Sequence, residues 1–465
     1  MSKKSRTLVI ALGILVILGA GYYLSMVSKN TVSKNGKADS ESTPYSPSSA
    51  IGNLESSELV KIEGPGITLE MNNGLWELSY PDGGIPSAEF ELDQTQIRYL
   101  TYSLAKIWVQ STVDEEPEDI SVYGLDNTSS RIIVTDSAGQ KAEYILGDMT
   151  PSRTSYYIMQ KGDPAVYSVA AYVADYMNFD LDSIRQRSLF SGFQLPSLTR
   201  LLLESEETRI EICPKTISHQ LQAASSFITH VLTSPYSLYR GVNNEALNSL
   251  ITPFNDLSIA DFIDDAPLSL APYGLDRPFR IFLQTENASV DLLIGNEVEG
   301  KRYAKLADAP GVFTLNDMEN ILKAKPFSLI DKFALLVNID TVDRLTISGG
   351  EEILSVSFQG KGDDAGFFLN GRKAEADTFR IFYQAVISLF IDAEYPVNNP
   401  ARQSVDTAEI TIEYELNTPP GGKASISLIP YNRDFYALRQ EGSTEFLISR
   451  NQARRIFEAA ANVKF

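Results

Sequence analysis

One set of features recurs 150 residues apart, and it constrains this chain more than anything else in it. Tyr123-Gly124-Leu125-Asp126 leads into RIIVTDSAGQKAEYILGD, a polar loop, SYYIMQKGDPAVYSV and a helix-like tail. Tyr273-Gly274-Leu275-Asp276 leads into RIFLQTENASVDLLIGN, then KRYAKLADAPGVFTL and the helix-like DMENILKA. A worn third copy runs AEITIEYELNTPPGGKASISLIP, DFYALRQEGSTEFLI and SRNQARRIFEAA. It lacks the tetrapeptide, although Tyr157, Tyr303 and Tyr436 align. A chain built of repeats buries its apolar faces unit by unit, so the fold is predicted from one unit and its stacking.

Each copy opens on alternating strands. In the first, LVKIEG, ITLEMNN and LWELSY alternate apolar and polar residues about Gly and Asn-Gly turns, which is hairpin patterning. Asp93 then caps a helix in which Ile97, Leu100, Leu104 and Ile107 share one face. The second copy has RLLLES and TRIEICP before the helix-like NEALNSLITPFNDLSIADFI, interrupted by Pro253. The third has DRLTIS, ILSVSFQ and GFFLNG before a helix over 376–391. The predicted unit is hairpin, helix, antiparallel meander and short helix. Because its strands follow one another through tight turns, it gives an α+β fold of tandem antiparallel meanders with flanking helices, rather than a doubly wound parallel sheet. The divisions read from the sequence are 51–205, 206–347 and 348–465, a size of unit that suits a chain of 465 residues.

The tetrapeptide itself reads as a structural turn. Gly supplies a backbone conformation closed to other residues, Asp bonds nearby amides, and Tyr with Leu pins the turn to the core. Asp126 and Asp276 as ligands are the alternative.

Residues 7–27, TLVIALGILVILGAGYYLSMV, carry no charge and follow Met-Ser-Lys-Lys-Ser-Arg. About twenty such residues span a hydrocarbon core of about 30 Å, and Tyr22 and Tyr23 fall where rings favour the interface. A cleaved signal peptide is the rival reading. The apolar run continues past Leu18-Gly19-Ala20, however, and Leu suits the −3 position poorly. The sequence thus predicts a cytoplasmic tail over 1–6, a single transmembrane helix over 7–27, and a Ser-, Lys-, Asn- and Pro-rich linker over 28–50 whose reach is roughly 25 Å. The bulk is expected outside the cytoplasm. Lys29, Lys34 and Lys37 nearly balance Lys3, Lys4 and Arg6, but the near-side charges abut the helix.

Six of the 40 basic residues lie in the first 37 positions, which hold no acid, leaving 34 against 60 acidic residues in the body. Such a body repels nucleic acid and disfavours lying flat on anionic lipid. Cys213 is the single cysteine, so an internal disulfide is excluded. Two histidines, His219 and His230, stand eleven apart, a poor metal pair. No nucleophile elbow, phosphate loop, dinucleotide fingerprint, His-Glu-x-x-His or calcium-hand pattern occurs. The sequence therefore predicts no catalytic residue, no cofactor and no metal. Adjacent acids such as Glu115-Glu116, Asp264-Asp265 and Asp363-Asp364 leave open a carboxylate-dependent hydrolase of the envelope. A small-molecule receptor, recognised by an apolar pocket between repeats, is a third reading. The density of Tyr156, Tyr157, Tyr167, Tyr172 and Tyr176 predicts a packed meander or a partner face.

The N-terminal anchor, the Trp76-Glu77-Leu78 strand, the Tyr-Gly-Leu-Asp turns, Ile-Leu-Gly-Asp with Leu-Ile-Gly-Asn, and Tyr-Tyr-Ile-Met with Val-Tyr-Ser-Val resemble the bacterial family catalogued as domain of unknown function 4340. The resemblance covers most of 54–347 and fits the last 120 or so residues loosely. It implies a membrane-anchored, extracytoplasmic protein, some members being associated with ABC-type transport systems of the gliding-motility type. It carries over no catalytic residue. The partners expected are the bilayer, through the N-terminal helix, and a protein of the membrane or envelope to which this chain is accessory or scaffold.

Overall fold

The structure, a computed structural model, describes residues 49–79, 91–127, 130–190, 195–216, 228–316, 318–360, 366–396, 407–417 and 422–465. The predicted transmembrane helix, most of the linker, His219 and Asp363-Asp364 lie outside them. Among the described residues no helix is long and apolar enough to cross a membrane.

The strand β1 (Ser49–Ile51) enters the first unit. A meander of β2 (Leu59–Glu63), β3 (Thr68–Asn72) and β4 (Leu75–Ser79) follows. Asn73 and Gly74 both take positive φ between β3 and β4, the geometry a two-residue hairpin of matching twist requires. The helix α1 (Gln94–Ala105) comes next, then β5 (Ile107–Val109) and β6 (Ser111–Asp114). A second meander contains β7 (Arg131–Asp136), β8 (Lys141–Met149), β9 (Ser155–Gln160) and β10 (Val166–Ala170). The unit closes on α2 (Tyr172–Met177) and α3 (Leu181–Ile184).

The sheet order is β4-β3-β2-β7-β8-β9-β10-β6, antiparallel throughout, with β2 joined to β7 at Ile62 opposite Val134. Since β4 and β6 are the two edges, α1 and its connections cross the whole sheet. They cross on its apolar face, where Ile97, Leu100 and Leu104 are buried. The Asp93 side chain accepts the Thr95 and Gln96 amides at the helix start, as expected. Ile107, read as helical, instead opens β5: the chain turns extended at Lys106 so that 107–109 can pair with β1.

The second unit repeats this plan. It contains β11 (Leu198–Glu204), β12 (Arg209–Pro214), β13 (His230–Ser234), β14 (Arg240–Gly241), α4 (Asn244–Ile251), β15 (Ile259–Asp264), β16 (Phe279–Thr285), β17 (Ser289–Val298), β18 (Lys301–Leu306) and β19 (Val312–Asn316), then α5 (Glu319–Leu322) and α6 (Pro326–Leu329). Its order is β14-β13-β12-β11-β16-β17-β18-β19-β15. The Ala-Asp-Phe-Ile stretch read as helix is the edge strand β15, because pairing with β19 overrides its helical spacing.

The third unit has β20 (Val342–Gly349), β21 (Glu352–Gln359), β22 (Gly366–Leu369), β23 (Arg372–Ala374), α7 (Ala376–Ile387), β24 (Ala393–Glu394), β25 (Ile410–Leu416), β26 (Gly422–Pro430), β27 (Phe435–Gln440), β28 (Ser443–Ser449) and α8 (Arg450–Ala461). Its order, β23-β22-β21-β20-β25-β26-β27-β28-β24, makes this segment a repeat in topology despite its missing tetrapeptide. The sheets begin somewhat before the sequence divisions at 205/206 and 347/348, since Leu198–Glu204 and Val342–Gly349 are the first strands of the second and third.

The units are joined by two straps of the same design. After the first unit, Asp93 N donates to Ile184 O and Gln186 N to Glu91 O; then Leu189 N donates to Leu257 O and Ile259 N to Arg187 O of the second unit. After the second, Asn243 N donates to Leu329 O and Asp331 N to Gly241 O; then Ala334 N donates to Leu389 O and Ile391 N to Lys332 O. Each strap is thus tied back to the start of its own unit's helix and forward to the segment following the next unit's helix. The first unit keeps its own hydrophobic core, whereas those of the second and third are continuous.

His230 is buried in the second unit, its Nε2 within 3.3 Å of Leu198 O. Burial lowers its pKa, outweighing the opposing hydrogen bond. The unfolded chain therefore takes up this proton at a higher pH than the folded one, so the stability His230 contributes is complete above about 6.5 and is lost as pH falls through the lowered value. Melting curves from about pH 7.5 to 5 are expected to drop in Tm, with a shallower drop in His230→Gln.

Candidate functional site: turns and junctions

The eight tetrapeptide residues come together only within their own turns. Gly124 and Gly274 take φ of +71° and +68° and cap short 3-10 turns. Leu125 and Leu275 are buried, while Asp126 and Asp276 are exposed. The tyrosines reach across to the preceding edge strand: Tyr123 donates to Asp114 Oδ2 and Tyr273 to Asp264 Oδ2, both at 3.0 Å. Those bonds raise both phenol pKa values. Each ring also meets a meander tyrosine edge-on, Tyr157 at 5.0 Å and Tyr303 at 5.1 Å. A Cβ on Gly147 or Gly295 would lie 2.2 or 2.1 Å from the Tyr123 or Tyr273 carbonyl oxygen, so the Ile-Leu-Gly-Asp and Leu-Ile-Gly-Asn turns are glycine because backbone passes over backbone.

Tyr436 differs from its sequence alignment. It faces the core, and burial, aided by its donation to Glu409 at 2.7 Å, pushes its hydroxyl up to about 12. The third unit's outer aromatic pair is Tyr395 with Tyr431, 5.5 Å apart. Of the dense tyrosines, Tyr156, Tyr167 and Tyr176 pack against the first core and Tyr172 is exposed.

The carboxylate pairs also serve structure. Asp264 holds Tyr273, and Asp265 accepts Arg185 Nη2 at 2.6 Å. Glu115 and Glu116 belong to the turn after β6, where Asp114 accepts the Glu116 amide. Among the described residues no group of three or more His, Cys, Asp or Glu could hold a metal ion. Cys213 is half-buried in β12, and burial raises its thiol pKa.

The two junctions share a backbone plan and differ in filling. At the second, the Tyr236 ring meets Phe446 at 4.8 Å, tilted by 60°, and its hydroxyl donates to Glu394 at 2.6 Å. Arg240, buried, lies over the same ring at 4.6 Å, donates to Gln440 Oε1 at 2.8 Å and faces Glu445 at 3.5 Å. Phe333 meets Phe390 at 4.5 Å. At the first junction the guanidinium of Arg185, also buried, lies 3.8 Å over Phe262 between Asp182 and Asp265. Arg187 donates to the Ile259, Ala260 and Asp182 carbonyls. Beside this arginine pair the described residues leave a cleft of about 810 Å³, walled by Trp76, Leu78, Leu189 and Phe313, with Arg185 and the acids Glu77, Glu91, Asp265 and Asp308 among its polar groups.

Gln94 shapes one wall. Its amide accepts from Trp76 N at 2.9 Å and donates to Trp76 O at 3.0 Å, so a side chain stands where another strand would bond the edge of β4. Sequence reading missed Gln94, Arg185 and Arg240. Only the arginines carried a signal, a cation among aromatics: Phe179 and Phe190 about Arg185, and Tyr236 and Tyr239 before Arg240. A second hollow of about 860 Å³ lies in the third unit at Arg433, Arg450 and Arg454, where Arg450 is held by Glu409, the Tyr436 hydroxyl and Asn432 O.

Fold and junctions define a tandem-repeat α+β protein whose units interlock through backbone straps. The family described as Domain of unknown function (DUF4340) matches residues 85–226 and 231–381, and the chain belongs to that family. Each match starts near a unit's helix and runs through the strap into the next unit, so the strap lies inside the family's own repeat. No curated protein matches the chain.

At the second junction, Arg240→Ala strands Glu445 in a desolvated site and is expected to cost about 3–5 kcal/mol, read as a loss of cooperative unfolding between the second and third units in urea. The paired change Arg240→Met with Glu445→Leu removes both charges and should recover most of that loss.

Proposed function

We propose that this chain is a membrane-tethered, extracytoplasmic accessory or scaffold protein that binds a partner complex of the membrane or envelope, an ABC-type transporter being the class the family resemblance implies. The observation that carries this reading is the pair of equivalent straps. They hold three units in fixed register, so that surface groups far apart in sequence keep constant spacing, as a scaffold needs. The uncharged run over 7–27 and the polar stretch after it supply the tether. The residues best suited to chemistry, Asp264, Asp265, Arg185 and Arg240, are engaged in holding turns and junctions together. Protease added to intact cells should remove the body, and mild-detergent purification should bring a membrane partner with it. A body untouched by protease, or one that purifies alone under several conditions, defeats the proposal.

The cleft at the first junction favours a second reading, a receptor for a small molecule with an apolar body and a charged end. Its size and its place between units match ordinary ligand sites, and its walls mix apolar side chains with charged ones. Trp76 reports on it directly. In the full chain carrying Trp108→Phe, anilinonaphthalene sulfonate should take up Trp76 emission in a saturable way, and Phe313→Asp should abolish that transfer. Linear, non-saturating transfer rules the receptor reading out.

A further inference from the structure

The first and second units correspond at a constant offset of 150 through the helix and edge strand. The helix caps Asp93 and Asn243, the tyrosine acceptors Asp114 and Asp264, and Tyr123 and Tyr273 all obey it. Against this internal control, five surface positions of the first unit stand out. Arg98, Tyr99, Tyr102, Lys106 and Trp108 are all exposed, the two tyrosines at 60% and 70%. Their counterparts are Asn248, Ser249, Thr252, Asp256 and Ser258. Three aromatics and two cations thus stand where the second unit has no aromatic and one acid.

The five form one patch. Arg98, Tyr99 and Tyr102 share the outer face of α1 at helical spacing, and just past the helix end the Lys106 ammonium lies 5.0 Å over the Trp108 ring. From Gln94 to Val113 there is no acid, in a chain whose acids outnumber its bases 60 to 40. Acids border the patch at Glu55 and Glu58, on the short turn packed against α1, and from Asp114 onward, six residues beyond Trp108.

The patch also sits where the chain enters. Trp108 pairs with Ala50 in β1, and Leu54 N donates to Ala105 O at the end of α1. In the later units the equivalent pairings, Ser188 with Ser258 and Phe333 with Phe390, are made by straps arriving from a preceding unit. Here what precedes in the sequence is the polar stretch 28–48 and, before it, the uncharged run over 7–27.

We propose that this patch of α1 and β5 rests on the bilayer–water interface, its rings at headgroup level and Arg98 and Lys106 against anionic lipid, so that the first unit stands end-on at the membrane. Tyr and Trp favour that layer, and basic groups beside it are attracted by anionic headgroups. The acidity of the rest of the body opposes lying flat and leaves this end as the contact. The inference rests on the membrane-tethered reading above.

The test uses the full chain in nanodiscs with Trp76→Phe, which leaves Trp108 as the one indole. Shallow doxyl-labelled phosphatidylcholine should quench its emission about twofold, more so with phosphatidylglycerol present, and Arg98→Glu with Lys106→Glu should remove the added effect. The reciprocal Trp108→Phe protein, reporting only buried Trp76, should stay unquenched. An inserted chain whose Trp108 is not quenched overturns this inference alone. Shielding of Trp108 from aqueous iodide without lipid quenching overturns it in favour of a protein partner. A chain that does not enter the disc overturns the tether and this inference together.

Discussion

Four backbone hydrogen bonds at each junction set the relation of one unit to the next. Because they join main-chain groups, they impose geometry while demanding little of the side chains. Ile330 stands at the second junction where Arg185 stands at the first, and the bonds Asp93 N to Ile184 O and Asn243 N to Leu329 O are both 2.8 Å. Buried backbone groups require partners, so a strap displaced from either unit would leave amides and carbonyls unsatisfied. The helices of the first and second units are tied into the same device through their N-cap residues, which couples folding within those units to docking between units.

With the backbone fixed, side chains decide what each junction becomes. The second is filled by Tyr236, Phe327 and Arg240 about Phe446, and the cores of the units on either side run together. The first places Arg185 and Arg187 over Phe262, and there the cores of the first and second units stay separate. A buried guanidinium costs desolvation whichever junction it occupies, and both sites offset it with an aromatic face and a carboxylate. One plan has thus produced a sealed joint and a joint beside a cleft.

Much of this fold could be read from the chain. Alternation in LVKIEG and TRIEICP marked strands because one face of each sheet is buried, and Asp93 marked a helix start because the first amides need an acceptor. The 150-residue recurrence gave the unit. Hidden from that reading were strands that follow the helices, β5 in the first unit and β15 in the second: Ile107 and the Ala-Asp-Phe-Ile stretch carry helical spacing, and only a distant partner strand makes them extended. Tyr436 was misaligned for a similar reason, since a shift of one residue in a strand moves a side chain to the opposite face. The turn tyrosines stood out by their recurrence, yet their acceptors Asp114 and Asp264 sit nine residues away, with nothing local to name them.

The sequence by itself determined the antiparallel units and the turns of the first two copies, because those follow from local periodicity and from residues that alone tolerate a given backbone. Tertiary structure decided that the worn third copy has the same topology, that the straps join all three in one way, and that Gln94, Arg185 and Arg240 are the side chains on which edges and junctions turn. Each of these depends on partners brought together from tens to hundreds of residues apart, as Arg240 and Glu445 are. Pairing across such distances is fixed by the packing of whole sheets and leaves no local pattern in the chain.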